Sequence, residues 1–263
     1  MRRRLITAAL LLAVMIPLIL YARPWLLSLV LTLILALAVG EWWKLVQGRR
    51  PAFVILVACL LLLVPQWLHF PGYIFVLVAW LSSAFWLALG LGLWLRDRRR
   101  LFSWLPWLLW PTLLPAFWLA SRLQILQPAF LLWLILLIAA SDSAALFFGK
   151  AFGRMRLAPS LSPGKTWAGF WGGLLAGLFG GTLGAAWFWA WRPENLLLGA
   201  GVGLLTALAG VLGDLWESFL KRSVGRKDSG QLLPGHGGIL DRIDALTAAV
   251  PVFFLLLSYW GKL

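Results

Sequence analysis

The acidic and basic side chains of this apolar sequence are concentrated in two polar stretches. Residues 214–244 hold five of the nine Asp and Glu, five of the 23 Lys and Arg, and one of the two His. The second stretch, 141–169, begins near Asp142 and adds further Lys and Arg. Carboxylate oxygens suit Mg²⁺, which commonly takes one or two carboxylates together with substrate phosphates. Lys and Arg bind phosphate oxygens, so these residue types predict phosphoryl or nucleotidyl transfer.

The spacing of the acids groups them by helix face without singling out a ligand pair. Asp214 and Glu217 are three residues apart, as are Asp241 and Asp244, so each pair shares a helix face. Any one of these acids, or Asp142, could instead form an ion pair or cap a helix. Glu217 could pair with Lys221, four residues later. Their convergence beside a glycine-rich loop favours a cation and phosphate site.

His and Cys exclude other kinds of metal site. His236, in PGHGG, lies among glycines that let the backbone approach a ligand, so it could bond a phosphate, carry a proton or simply pack. The single Cys59 lies within an apolar run, which leaves no disulfide framework or thiolate cluster. A zinc site of the usual kind is therefore not expected. The SPGKT run lacks the first glycine of a P-loop, because Pro159 takes that place.

The elements that must position these residues are membrane helices. The mean hydropathy is +0.90 and 62% of the residues are hydrophobic, with apolar runs long enough to cross a bilayer. The expected fold is an all-α polytopic membrane protein with about nine transmembrane helices, in one membrane domain over residues 1–263. The N-terminal helices occupy 1–130 and the catalytic helices and loops 131–263, and the basic N-terminus is interpreted as a retained first helix. Helices are predicted near 5–21, 24–43, 52–68, 72–95, 101–120, 127–148, 167–190, 195–217 and 241–260.

The distribution of positive charge predicts the orientation. With the N-terminus inside, 19 Lys and Arg fall on the inner side and four on the outer side, as expected for cytoplasmic loops. Both polar stretches then face the cytoplasm, and the expected location is the bacterial inner membrane. The net charge of +14 is explained by these loops, so nucleic acid is not an expected partner.

Glycines predict close packing of the seventh and eighth helices. Gly169, Gly173, Gly177 and Gly181 recur every four residues in the seventh predicted helix. The eighth carries Gly199, Gly203 and Ala207 at the same spacing. Small residues at this spacing let helix backbones approach closely. The two inner helix ends, where the polar loops attach, should therefore meet.

The C-terminal polar stretch resembles a family signature. The pattern S-x-x-K-R-x4-K-D-x-G-x3-P-x-H-G-G-x-x-D-R-x-D is similar to that of the phosphatidate cytidylyltransferases, or CDP-diacylglycerol synthases. Its fixed positions are Ser218, Lys221, Arg222, Lys227, Asp228, Gly230, Pro234, His236, Gly237, Gly238, Asp241, Arg242 and Asp244.

The stretch from Ser141 to Gly169 resembles the same family. It keeps the positions Asp142, Gly149, Lys150, Ser162, Pro163, Lys165 and Thr166. It departs at Gly164, where Lys is common, and at Ala168, where Glu is common. Residues 1–130 resemble the family only in their helical pattern.

The resemblance implies a reaction and roles for particular residues. CTP and phosphatidic acid would give CDP-diacylglycerol and pyrophosphate with Mg²⁺, within a lipid bilayer. The implied metal ligands are Asp214 and Asp241, with Asp142 and Asp244 as further candidates. Candidate catalytic residues are Asp214, Asp241, Lys221, Arg222 and His236. Candidate substrate-binding residues are Lys227, Arg242, Ser218, Lys150, Ser162 and Lys165. A second cation and a homodimer are left open.

Two other functions are compatible with parts of the pattern. A CTP-dependent polyprenol kinase would transfer a γ-phosphate, but the complete H-G-G-x-x-D-R-x-D match disfavours it. An anion transporter would place charges at the bilayer midplane, whereas here they lie at one rim. CDP-alcohol phosphotransferases are excluded because their D-G-x-x-A-R run is absent.

Overall fold

The computed structural model describes residues 13–46, 51–67, 70–94, 98–230 and 237–263. Residues 13–21 are helical and are called α1. The helices that follow are α2 (Pro24–Leu45), α3 (Pro51–Trp67), α4 (Gly72–Trp94), α5 (Arg98–Leu126), α6 (Pro128–Phe152), α7 (Trp167–Trp189), α8 (Pro193–Ser223) and α9 (Leu240–Tyr259). The structure thus confirms an all-α fold. The basic residues at 2–4 and His236 lie outside the described residues.

Five of the described helices are long and apolar enough to cross a membrane, namely α2, α4, α6, α7 and α8. Their most apolar windows have mean hydropathies between 1.2 and 2.2. Many large apolar side chains point outward, among them Leu183 and Leu197. A polytopic membrane protein accounts for this apolar surface, because lipid rather than water covers it.

Local sequence explains where several helices begin. Proline stands in the first turn of α2, α6 and α8, where its missing N–H costs nothing and its fixed φ suits the helix. α7 begins after Thr166, whose Oγ1 accepts a hydrogen bond from the Gly169 N–H at 3.1 Å, as an N-cap residue does. The sequence placed these starts within about two residues, a usual margin for helix ends.

Two helices run further toward the polar stretches than predicted. α6 continues to Phe152 and α8 to Ser223. The added turn of α8 includes Lys221 and Arg222, and cations in a last turn are favoured by the helix dipole. Both extensions carry charged side chains beyond the apolar part of the helix.

The glycines of α7 contact two neighbouring helices rather than one. A Cβ on Gly181 would lie 2.6 Å from the Cα of Gly203, and one on Gly177 would meet the side chain of Ala207, so the predicted α7–α8 contact is confirmed. A Cβ on Gly173, however, would lie 3.2 Å from Ser141 of α6. A spacing of four residues drifts by about 40° per step. The row of glycines therefore turns along α7 from the side of α8 to the side of α6, and α7 packs closely against both helices.

The connection between α6 and α7 is a small β-hairpin where the sequence suggested only a loop. β1 (Arg156–Ala158) pairs antiparallel with β2 (Ser162–Thr166), with Ala158 opposite Ser162. The buried Leu161 anchors the turn, and the Trp167 N–H donates to the Met155 carbonyl at 3.0 Å. The hairpin fixes Lys165 directly before the start of α7.

α9 lies at the centre of the bundle. It contacts α2, α4, α5, α6 and α8, and Phe253 and Ala248 are fully buried. Next to the polar stretches, a Cβ on Gly213 of α8 would overlap the Asp244 carbonyl of α9. The ends of α8 and α9 next to the polar stretches are thereby held together.

Candidate functional site

One cavity of about 1590 Å³ opens where α6, α8, α9 and the hairpin meet. Its charged lining consists of Asp142, Lys150, Arg156, Lys165, Asp214, Lys221, Lys227, Asp228, Asp241, Arg242 and Asp244. Glycines 149, 153, 164, 169 and 173 form much of the wall beside the hairpin. Backbone there can approach a ligand closely, since no side chain intervenes.

The structure brings together nine of the site residues that the sequence predicted. They are Asp142, Lys150, Lys165, Asp214, Lys221, Lys227, Asp241, Arg242 and Asp244.

Three predicted residues do not line the cavity: Ser162, Ser218 and Arg222. On α8, Asp214 and Lys221 point in nearly the same direction. At 100° per residue, Ser218 and Arg222 are rotated from Asp214 by about 40° and 80° around the helix axis. Ser218 is buried, and exposed Arg222 faces the carbonyl of Arg226 at 3.5 Å. Ser162 pairs in the hairpin.

Asp142, Asp214 and Asp244 form one carboxylate group, contributed by α6, α8 and α9. They lie close enough to one another to interact electrostatically. Lys165 of the hairpin forms an ion pair with Asp214. The Asp244 carboxylate also accepts the N–H of Ala245 at 2.8 Å. This group brings three carboxyl groups together in a cavity whose lining also contains several Lys and Arg.

A second charged group is built around Lys221. Its Nζ lies 2.5 Å from Oε2 of Glu217 and 2.6 Å from Oδ1 of Asp241, which confirms the pairing predicted for Glu217. The other oxygen of Asp241 accepts from the N–H and hydroxyl of Ser229, at 3.0 and 2.9 Å, and from the Gly238 N–H at 2.8 Å. Both oxygens of Asp241 thus have protein partners.

The donor set fits Mg²⁺ of the kind held partly by a substrate. Among the described residues, no group of three or more His, Cys, Asp or Glu is arranged to hold a metal alone. Mg²⁺ often takes one or two carboxylates and completes its shell with phosphate oxygens and water. Asp142, Asp214 and Asp244 can offer such carboxylates. Asp241, with its oxygens already engaged, remains a predicted ligand.

Sequence reasoning missed three charged residues. Arg156 and Asp228 line the cavity. Asp228 is a fixed position in the K-D-x-G part of the signature, but the sequence predicted no role for it. Glu41 of α2 is buried beside the cavity residue Gly230 and beside Gly238. An acid inside an apolar helix is expensive in a membrane, and that signal alone would have identified Glu41.

Ala168, one of the two departures from the family pattern described above, is the second residue of α7. It is half-buried and does not line the cavity. Asp142, Asp214 and Asp244 therefore supply carboxylates to the cavity without any contribution from that position.

A bundle of apolar helices with carboxylates, lysines and arginines around one cavity at the helix ends defines a class: a membrane enzyme that acts on phosphorylated substrates. The model of the cytidylyltransferase family matches residues 2–260. This chain belongs to that family.

Individual relatives carry a more specific name. The chain is 37% identical to a phosphatidate cytidylyltransferase of Pseudomonas aeruginosa, over 99% of both chains. It is 45% identical to one of Haemophilus influenzae, with 47% of this chain aligned to 43% of that protein. It is 40% identical to the uncharacterized protein YnbB of Escherichia coli, over 49% of this chain and 42% of YnbB. The latter two alignments cover less than half of the relative.

Proposed function

We propose that this membrane protein transfers CMP from CTP to phosphatidic acid, giving CDP-diacylglycerol and pyrophosphate for phospholipid synthesis. The observation that carries the proposal is a cavity to which both signature stretches supply carboxylates and phosphate-binding cations. Family membership and the full-length match to a phosphatidate cytidylyltransferase support it.

The reaction is a direct displacement at phosphorus. An oxygen of the phosphatidate phosphate attacks the α-phosphorus of CTP, and the bond from that phosphorus to the β-phosphate oxygen breaks as pyrophosphate leaves. The attacking oxygen is already anionic near neutral pH, so no strong general base or covalent intermediate is needed. Catalysis then consists of positioning and of neutralising charge.

The cations of the cavity hold the phosphates. Lys227 and Arg242 come from the C-terminal stretch, and Lys150, Arg156 and Lys165 from the end of α6 and the hairpin. They approach from two sides, so one set can hold the triphosphate while the other holds the lipid phosphate. Arg can grip two phosphate oxygens at once. The acyl chains stay in the bilayer.

Mg²⁺ fits the carboxylate group and completes the proposed active site. Asp214, with Asp142, Asp244 or Asp241, would hold it, and a second cation is compatible with the number of acids. When bound, it would neutralise phosphate charge during transfer. Lys165, which pairs with Asp214, lines the same cavity and is one of the cations that would bind phosphate oxygens.

We further propose that the chain has about nine transmembrane helices, lies in the bacterial inner membrane and opens its cavity to the cytoplasm. The 19 to 4 distribution of Lys and Arg supports this orientation. CTP would enter from the cytoplasm, and phosphatidic acid from the bilayer. A homodimer is compatible with the proposal.

The decisive assay gives the purified protein in detergent phosphatidic acid, Mg²⁺ and CTP labelled in either the α- or the γ-phosphate. Transfer of CMP moves only the α-label into the lipid product, and the γ-label leaves as pyrophosphate. A polyprenol kinase given its prenol would instead incorporate the γ-label. Absence of α-label in lipid, alongside an active control enzyme, would refute the proposed function.

A further inference from the structure

Glu41 forms a buried contact with the start of a distant helix. Its side chain belongs to α2 and is only 6% exposed. Oε1 accepts the N–H of Ile239 at 2.9 Å, and Oε2 accepts that of Leu240 at 3.0 Å. Nearly 200 residues of chain separate the two partners. Backbone contacts of this kind fix where a helix begins.

These contacts replace the cap that α9 lacks. The N-cap residue of α9, Ile239, has no side chain that can cap the helix. The first N–H groups of a helix have no partner within it and favour an anion nearby. Asp241 accepts the Gly238 N–H at 2.8 Å, and Glu41 accepts the next two. Two carboxylates thus satisfy three successive backbone donors.

Ser229 lies between the two carboxylates, and its single hydroxyl hydrogen can be donated to either one. Its hydroxyl lies 3.0 Å from Oε2 of Glu41 and 2.9 Å from Oδ2 of Asp241. Its backbone N–H also reaches Asp241, at 3.0 Å. Ser229 is itself buried. The position of the Asp241 carboxylate in the cavity wall therefore depends on Glu41 through both the helix start and this serine.

Two signature glycines make room for the Glu41 carboxylate. A Cβ on Gly230 would lie 2.5 Å from Oε1 of Glu41, and a Cβ on Gly238 would overlap Oε2 and the Ser229 hydroxyl. No side chain can be added at either position without displacing Glu41. The absence of a side chain at these positions of D-S-G and H-G-G is thus explained by the carboxylate of a different helix, α2.

We propose that Glu41 is a positioning residue for the transfer reaction, acting through the first turn of α9, Ser229 and Asp241. The role in catalysis depends on the proposed function, whereas the placement of α9 does not. α2 thereby brings the N-terminal half of the chain, which resembles the family least in sequence, into the construction of the active site.

Glu41→Gln tests the proposal, with Glu194→Gln as the matched control. Glutamine has the same shape but presents an NH₂ group to one of the two backbone donors and loses the charge. Glu194 is an exposed acid in the first turn of α8, outside the cavity. We expect Glu41→Gln to lower kcat about 10- to 100-fold. The KM for CTP should change by less than about threefold, because the phosphate-binding cations are untouched.

Amide hydrogen exchange of the purified proteins provides a readout that needs no turnover. In Glu41→Gln, the amides of Ser229, Ile239 and Leu240 should exchange faster, while those of α6 and α7 keep the wild-type rate. Glu194→Gln should match the wild type in kcat and in exchange at all these amides.

Three outcomes test the positioning role of Glu41. A wild-type kcat in Glu41→Gln, or faster exchange spread evenly through the helices, would overturn the positioning role. Local faster exchange with the expected fall in kcat would support it. If the wild type makes no CDP-diacylglycerol but the local exchange effect is present, the proposed function fails, the catalytic role falls with it, and the placement of α9 by Glu41 stands.

Discussion

The two lysines that contact carboxylates in the cavity have different surroundings. Lys165 reaches Asp214 from the hairpin, and both side chains are partly open to solvent. Lys221 lies between Glu217 and Asp241, and all three side chains are at most 14% exposed. Lys165 can therefore exchange partners at little cost, whereas Lys221 also holds the structure together.

We predict that Lys221→Met destabilises the protein as well as inactivating it. Removing one partner of a buried ion pair leaves uncompensated charge, which costs about 3–5 kcal/mol, here on Asp241, and it also removes the contact with Glu217. Thermal unfolding in detergent should show a lower Tm than wild type. Lys165→Met, with its partly exposed partner, should reduce activity with a much smaller change in Tm, and equal Tm losses would contradict this distinction.

We predict that Asp214→Asn and Asp241→Asn each reduce the rate by about two orders of magnitude or more, the scale of losing charge stabilisation in an active site. The measurement is kcat with α-labelled CTP, after size-exclusion chromatography has shown a folded protein. Asp241→Asn should also lower Tm, because its two oxygens contact Lys221, Ser229 and Gly238. Wild-type rates in both variants would refute the assigned metal roles.

Individual residues show which parts of the candidate site the sequence predicts. The Glu217–Lys221 pair was predictable because helix spacing brings i and i+4 together. Asp142, Asp214 and Asp244 were candidates, but their grouping depends on three helices whose packing no local pattern specifies. Glu41 and Ser229 meet only because α2 packs beside the loop before α9. Such contacts, between residues 188 positions apart, leave no trace in local spacing.

At the scale of elements, the helices were predictable and the hairpin was not. Apolar runs of membrane length indicate helices strongly, and all of the described helices correspond to predicted spans. β1 and β2 contain three and five residues, and strands so short have little hydrophobic periodicity to detect. Their effect is nevertheless large, since they hold Lys165 and Thr166 at the cavity.

The α7–α8 contact gives a prediction at this scale. Gly181→Ala places a methyl group against the Gly199 carbonyl and 2.6 Å from the Gly203 Cα, and overpacking of this kind typically costs about 1–3 kcal/mol. Tm should fall accordingly. Gly180→Ala is the matched control, because its Cβ would lie 3.7 Å from Leu137, an ordinary contact. Equal stability of the two variants would show that this glycine contact is dispensable.

At the scale of the whole molecule, the proposed orientation assigns opposite sides to the two ends of α7. Met155, directly before the hairpin strand β1, is 71% exposed, and Trp191, beyond the other end of α7, is 72% exposed. Since the chain has only one cysteine, Cys59, an alanine there provides a cysteine-free background.

We predict that Met155→Cys reacts with a membrane-impermeant thiol reagent only in inside-out vesicles, and Trp191→Cys only in right-side-out cells or spheroplasts. The reason is that both side chains are exposed, and a bilayer separates the two positions if α7 spans it. Labelling of both from the same side would refute the orientation.

The length of α8 also relates the chemistry to the membrane itself. At 1.5 Å per residue, its 31 residues extend about 46 Å, against roughly 30 Å of hydrocarbon. Asp214 lies about 32 Å from the first residue of the helix, a distance close to that hydrocarbon thickness. Hydrophobic mismatch would shift that height or tilt the helix. Turnover in reconstituted vesicles should therefore depend on bilayer thickness, with an optimum where the carboxylates and the phosphate of the lipid substrate lie at the same depth.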